Sequence, residues 1–185
     1  ILESGNFLKN EKGFYPFLRN RVTFPILNSS GKTIGFGGRV TDDSMPKYLN
    51  SKDSKFFNKT RELYGFNNAK KDHKTEDFIV TEGYMDVVML SEYGINNAVA
   101  SLGTAFSQNH MSSMFKLRRK ITFCFDSDEA GLKAAWRALQ ISLKHVIDDK
   151  TVRFLFLPEG YDPDSFVKEK GAVSYTHLTL PTTLG

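Results

Sequence analysis

Residues 121–131 read ITFCFDSDEAG, a β-prone apolar run that closes on Asp126, Asp128 and Glu129. Carboxylates two residues apart at the end of a buried strand repel one another, so the fold must offset them. The pattern around this stretch repeats. DFIVTEG (77–83) reads as a strand, and YMDVVMLSEYG as a helix closed by Gly94 at its C-terminal cap. NNAVASLG is a second strand, followed by SQNHMSSMFKL, a helix with Ser107 as N-cap. KITFCFD is the third strand, and a helix over 129–147 follows, with Leu132, Ala135, Trp136, Leu139, Leu143 and Val146 as its expected core stripe. TVRFLFLP is the fourth strand. Strands alternating with helices predict an α/β fold with a mostly parallel sheet flanked by helices. Such sheets bind ligands off the carboxyl ends of their strands.

Residues 1–75 read differently, as a smaller basic mixed α+β subdomain. RVTFPIL (21–27) and TIGFGGRV (33–40) are strands joined by the turn NSSGK, a β-hairpin. The polar stretch HKTED (73–77) marks the expected boundary, giving a basic part over 1–75 and an α/β domain over 76–171. The last fourteen residues, 172–185, hold no Asp, Glu, Lys or Arg and four threonines; they read as a non-native tail, so His177 is discounted.

At 185 residues the chain is long enough to bury a core, and its 40% hydrophobic and 25% charged content is ordinary for a globular protein. The single cysteine, Cys124, excludes an internal disulfide and a cysteine-cluster zinc site and reads as a core residue. The single cysteine permits a reducing cytosol, and cytoplasmic is the expected location; no apolar run reaches the roughly 20 residues that span a bilayer, so no membrane partner is expected. The chain starts at Ile1 without Met or a signal pattern, which reads as a fragment of something longer. Its net charge of +4 is divided: residues 1–75 hold 14 Lys and Arg against 7 Asp and Glu, and the remainder holds 11 against 14. That division suits one part that grips a polyanion and another that holds cations.

The acids of the second part fall at strand ends. Glu82 follows the first strand, with Asp86 one turn into the next helix; Asp126 and Asp128 end the third; Asp162 and Asp164 follow the fourth. Asp126 and Asp128, two apart in an extended segment, project to one side. Hard oxygen ligands without convergent His or Cys favour Mg²⁺ or Mn²⁺. Any one of these acids alone is more often a helix cap than a ligand, but three strand ends delivering them to one rim favours the ion. ASLGTA carries no Lys and lacks the glycines of a phosphate loop, so it is a weak signal alone. In the basic part, Arg19, Arg21, Arg39, Lys47, Lys59 and Arg61 are interleaved with Tyr15, Phe17, Tyr48 and Phe57, which describes a single-strand track unless most of the rings are core; Phe24 and Phe36, inside the strands, are expected in the core. Arg19 and Arg21 share a face if that segment is extended.

VTEGYMD, ASLGTA, FDSDEAG and PEGYDPD, in this order, resemble the TOPRIM domain of primases, topoisomerases and some nucleases. With RNRVTFPI, GKTIGFGGRV, PKYLNS and FNKTRELYGF before them, the chain resembles the RNA polymerase domain of the DnaG-type bacterial replicative primases over nearly its whole length. The resemblance implies a catalytic and metal core of Glu82, Asp126 and Asp128, with Asp86, Asp162 and Asp164 as further acids around the metals. It places template and nucleotide contacts on Arg19, Arg21, Arg39, Lys47, Asn50 and Lys59. It implies RNA primer synthesis from ribonucleoside triphosphates on single-stranded DNA template, with Mg²⁺ or Mn²⁺ as cofactor. Zinc is expected only in an upstream module, and a replicative helicase only through a C-terminal domain, neither within these residues. A TOPRIM nuclease, a topoisomerase or a non-catalytic single-strand-binding module would share some of these features; the basic-part motifs are what single out a primase.

Overall fold

The computed structural model describes residues 6–126, 128–145, 149–158 and 160–177, with the side chains of 172–177 excepted. The basic part opens with a two-stranded hairpin, β1 (Phe7–Asn10) and β2 (Gly13–Pro16), that the sequence reading missed. The expected hairpin is present as β3 (Arg21–Leu27) and β4 (Thr33–Val40), antiparallel, with Val22 opposite Arg39 and Phe24 opposite Gly37. A third strand, β5 (Tyr48–Asn50), pairs with β4 so that Asn50 stands opposite Gly37. Pro25 lies on the outer strand β3, where its missing N–H leaves no central ladder bond unmade. A short helix, α1 (Phe66–Ala69), leads toward the second part.

The α/β part follows the expected alternation: β6 (Asp77–Thr81), α2 (Tyr84–Glu92), β7 (Ala98–Ala100), α3 (Gln108–Phe115), β8 (Lys120–Phe125), α4 (Glu129–Ser142), β9 (Thr151–Phe156) and α5 (Pro163–His177). The four strands form a fully parallel sheet in the order β7-β6-β8-β9. Because side chains alternate along a strand, each strand feeds two cores. Phe78, Val80, Ile121 and Phe123 pack under α3 and α4 with Met111, Met114, Ala135 and Ala138. Ile79, Cys124 and Leu155 pack under α2 and α5 with Val87, Leu90, Phe166 and Val167. Cys124 is fully buried, as expected of a core residue.

The polar stretch before β6 is firmly held. Arg118 donates to the carbonyls of Ala69, Asp72 and Asp77 and to the Thr75 hydroxyl, while its guanidinium stacks over Phe78. Tyr64 and Ala100 exchange backbone hydrogen bonds of 2.9 and 3.1 Å, and Ile26, Phe57 and Leu102 share a small core. The basic sheet is therefore joined to the parallel sheet by both packing and backbone pairing.

One expectation fails in α4. Of its predicted core stripe only Ala135 is buried: Leu132, Trp136 and Leu143 are 52%, 63% and 65% exposed, and Val146 lies outside the described residues. The helix instead presents Gly131, Ala135, Ala138 and Ser142 to the sheet. Its small-residue face sets a close approach that large side chains would prevent, and periodicity alone cannot tell the two faces apart. The helix α5 was not expected; it carries a non-helical Gly171 at φ 81°, where the change in composition begins. Among the described residues no helix is long and apolar enough to cross a membrane.

Candidate active site

The carboxyl ends of β6, β8 and β9 deliver the acids. Glu82 follows β6 and accepts a 3.3 Å bond from the Asp126 amide, tying the tips of β6 and β8 together. Asp86, Asp128 and Asp162 each commit a carboxylate oxygen to the start of a different helix. Asp86 accepts from Gly83 N–H at 3.0 Å ahead of α2, and Asp128 caps α4 by accepting from Gly131 N–H at 2.7 Å. Asp162 accepts from the Ser165 amide and hydroxyl at 2.7 and 2.6 Å at the head of α5. The capping role that a single acid usually plays is thus realised at three of the six. It also aims the N-terminal ends of three helices, with their partial positive charge, at one rim, which partly offsets the repulsion there.

Burial first, and that repulsion second, shift three of these carboxyls upward. Burial, reinforced by Asp126, Asp162 and Glu82, pushes the Asp86 carboxyl up to about 7, against the Gly83 hydrogen bond that lowers it. Burial, then Asp126 and Asp128, raises Glu82; burial, then Asp162 and Asp128, raises Asp126. At Asp162 burial acts upward, but the Ser165 hydrogen bonds prevail and hold it below the usual carboxylate range. Five acids therefore feel one another. Asp164, in the first turn of α5, contributes an Oδ1 that is buried without a hydrogen-bond partner among the described residues.

The donor set is all hard oxygen, electrostatically strained, with one orphaned buried oxygen, which fits Mg²⁺ or Mn²⁺. Among the described residues no three His, Cys, Asp or Glu side chains already stand close enough together to hold an ion. The capping bonds of Asp86, Asp128 and Asp162 account for this, since each turns its carboxylate toward its own helix. Asp128 in particular accepts from the Gly131 amide of α4.

Gly131 explains how α4 comes so near. A Cβ placed on it would stand 2.1 Å from the Asp126 carbonyl oxygen and 2.9 Å from Glu82 Oε1. Sequence reading overlooked this residue; its signal was a glycine inside the first turn of a helix, where it costs up to about 1 kcal/mol relative to Ala and so needs a reason.

The basic sheet meets this rim through Asn50 and Tyr84. A Cβ on Gly37 would stand 3.1 Å from Asn50 Oδ1 and 3.0 Å from the Tyr84 ring; one on Gly103 would stand 3.1 Å from Asn50 Nδ2. Asn50 is thus wedged between β4 and the loop after β7, and Tyr84, two residues beyond Glu82, packs against Phe24, Tyr48 and Tyr64 at ring distances of 5.1 to 5.6 Å. Burial pushes the Tyr84 phenol up to about 12. Tyr84 is a second residue the sequence reading passed over, although it stands within the quoted VTEGYMD.

The expected cations divide. Arg39 and Lys47 lie over the half-exposed Tyr48 ring at 5.9 and 5.8 Å. The backbone N–H of Lys59 donates to Asp53 Oδ1 at 3.1 Å. Arg21 donates to the Pro46 and Lys47 carbonyls at 2.7 and 3.2 Å, so it braces the strip that carries Lys47 and Asn50. Arg19 sits in the turn before β3, beside Asn20 at φ 53°, and stacks over Tyr15 at 5.0 Å; it does not share an extended face with Arg21. Phe57 is core, while Phe24 and Phe36, expected in the core, are only half-buried.

Known proteins resemble the chain on both sides of this seam. The description "DNA primase catalytic core, N-terminal domain" matches residues 1–70, and a Toprim-like description matches 79–167. The DNA primase of Pseudomonas aeruginosa is 54% identical over 174 residues, which is 92% of this chain and 26% of that protein. The chain thus spans about a quarter of that relative's length. A crystal structure of a DNA primase domain from Pseudomonas aeruginosa superposes with a TM-score of 0.92 at 48% identity, covering 98% of this chain and 58% of that one. A DnaG primase catalytic domain bound to ssDNA gives 0.90 at 43% identity, covering 96% and 58%.

Proposed function

Because the chain belongs to the DnaG-type bacterial DNA primases and carries their N-terminal catalytic-core and Toprim domains, we propose that it is the nucleotidyl-transfer centre of a protein that makes RNA primers on single-stranded DNA. The observation that carries this reading is the set of acids at the tips of β6, β8 and β9, with Glu82, Asp86 and Asp126 raised by burial and by their acidic neighbours, beside a cationic, aromatic strip. The chemistry is attack of a primer 3′-hydroxyl on the α-phosphorus of a ribonucleoside triphosphate, with pyrophosphate leaving. A divalent cation, Mg²⁺ or Mn²⁺, held by Glu82, Asp126 and Asp128 with Asp86, Asp162 and Asp164 around it, would neutralise phosphoryl charge and lower the pKa of the attacking hydroxyl.

The chain's own residues bind and orient. Arg39 and Lys47 supply positive charge beside the Tyr48 ring, a surface suited to phosphates and a stacked base. Asn50, wedged between two glycines, presents a fixed amide to the nucleotide, and Arg21 keeps its strand in place. Asp86, with its carboxyl pushed up to about 7, is partly protonated near neutral pH, a proton that a bound cation would displace. Single-stranded DNA as partner is supported by the relative solved with ssDNA. A cytoplasmic setting, upstream zinc, a helicase partner and the division into 1–75, 76–171 and a non-native 172–185 are proposals on family and composition grounds.

Primer synthesis from labelled ribonucleotides on single-stranded template, measured in the intact parent protein, tests the reading. Asp126→Ala is expected to abolish synthesis while leaving the fold intact. Unchanged synthesis in that variant would refute the assignment.

A further inference from the structure

Two donors on the rim have no hydrogen-bond or ion-pair partner among the described residues: the Arg137 guanidinium and the Ser101 hydroxyl. Both line a cavity of about 130 Å³ between α4 and the loop after β7, with Glu82 on a third wall and Phe106 and Phe125 among its apolar lining. The loop is well fixed. Gly103 adopts φ +72°, Thr104 makes a long 3.4 Å bond to the Lys59 carbonyl, and Ser107 donates to the Thr60 carbonyl at 2.6 Å. A Cβ on Gly103 would stand 3.1 Å from Asn50 Nδ2, so the loop that walls the cavity also backs onto the strip that carries Asn50.

A planar guanidinium and a hydroxyl lining one small cavity suit the oxygens of a phosphate, and an apolar lining strengthens such bonds by lowering the local dielectric. An anion next to Glu82 is favourable only when a cation lies between them, so occupancy here should depend on divalent metal. We propose that Arg137 and Ser101 form a phosphate subsite that holds the terminal phosphates of the ribonucleoside triphosphate, and the pyrophosphate it becomes, on the α4 side of the acids. This rests on the primase reading and adds a subsite to it. The same chemistry could come from a phosphodiester of the template, and the experiment separates the two.

The intact parent protein is compared with its Arg137→Ala, Arg137→Lys and Ser101→Ala variants. Binding of ATP and of inorganic pyrophosphate is measured calorimetrically in Mg²⁺ without template, and binding of a single-stranded oligonucleotide by fluorescence anisotropy. Loss of a charged hydrogen bond predicts roughly 10-fold or more weaker ATP and pyrophosphate binding for Arg137→Ala. Arg137→Lys should recover part of this, Ser101→Ala should lose less, and oligonucleotide affinity should stay unchanged. Full ATP and pyrophosphate affinity in Arg137→Ala overturns the proposal; so does a loss confined to the oligonucleotide, which would assign the cavity to the strand. Should Arg137→Ala fold poorly, undiminished binding in both other variants overturns it equally. Absence of ATP binding by the wild-type protein in Mg²⁺ would instead strike at the primase reading itself.

Discussion

Gly131→Ala is the substitution on which local rule and structure disagree most sharply. In an ordinary helix interior the change stabilises by about 1 kcal/mol, through helix propensity. Here the added methyl would stand 2.1 Å from the Asp126 carbonyl oxygen, so α4 must retreat by roughly 1 Å merely to reach 3.0 Å. Overpacking of this kind costs about 1–3 kcal/mol, and more when backbone rather than a side chain must yield. Because backbone must yield here, the cost falls in the upper part of that range, about 2–3 kcal/mol, and the propensity gain leaves a net destabilisation of about 1–2 kcal/mol, or a melting temperature about 2–8 °C lower. The retreat also separates Glu82 and Asp126 from Asp128, whose carboxylate caps the displaced helix. Thermal unfolding with and without Mg²⁺ reads both effects: a lower melting temperature and a smaller stabilisation by the ion. Gln140→Ala, on the exposed face of the same helix, should stay within about 0.5 kcal/mol of wild type. A Gly131→Ala protein that melts at or above wild type, with its response to Mg²⁺ intact, would refute the close approach of α4 to the acids.

Other perturbations follow from the same rim. Without divalent cations, Glu82→Gln or Asp126→Asn removes repulsion and should raise the melting temperature while abolishing primer synthesis in the parent; a lower melting temperature for both would contradict the mutual raising of these groups. Asp86, at about 7 when folded against an ordinary 3.8, keeps a proton that the unfolded chain has lost between those values. By linkage, cation-free stability should therefore fall as pH rises from about 4 to about 7, and Asp86→Asn should flatten that slope in denaturant titrations. A slope unchanged by the substitution counts against the assignment. Arg21→Lys should raise the nucleotide KM several-fold with little change in kcat, because one ammonium cannot brace the Pro46 and Lys47 carbonyls as a planar fork does. Steady-state kinetics with an unaltered KM would show that the brace is dispensable.

Much of the α/β part was legible because its signals were local. Apolar runs bounded by Gly83, Gly94 and Ser107 marked strands and helices, and the parallel sheet follows from their alternation. The acids were legible as residues but not as geometry: nothing in the spacing reveals that Asp86, Asp128 and Asp162 each bind a helix amide. The stripe on α4 misled because Leu132, Trp136 and Leu143 recur at helical spacing just as a core face does, whereas the true face is built from Gly131, Ala135, Ala138 and Ser142. β1, β2 and β5 are four residues or fewer, too short for periodicity to register. Arg21, expected at a nucleic acid, braces a strand through carbonyl contacts 25 and 26 residues away, which no local pattern encodes.

Glu82, Asp126 and Asp128 are proposed to share a divalent cation. Crystals of the protein soaked in Mn²⁺ and measured at the manganese absorption edge would show where it sits. The expectation is an anomalous difference peak bounded by those three carboxylates and lost in Asp126→Asn. Mn²⁺ seated elsewhere, with no peak between the tips of β6 and β8, would contradict it.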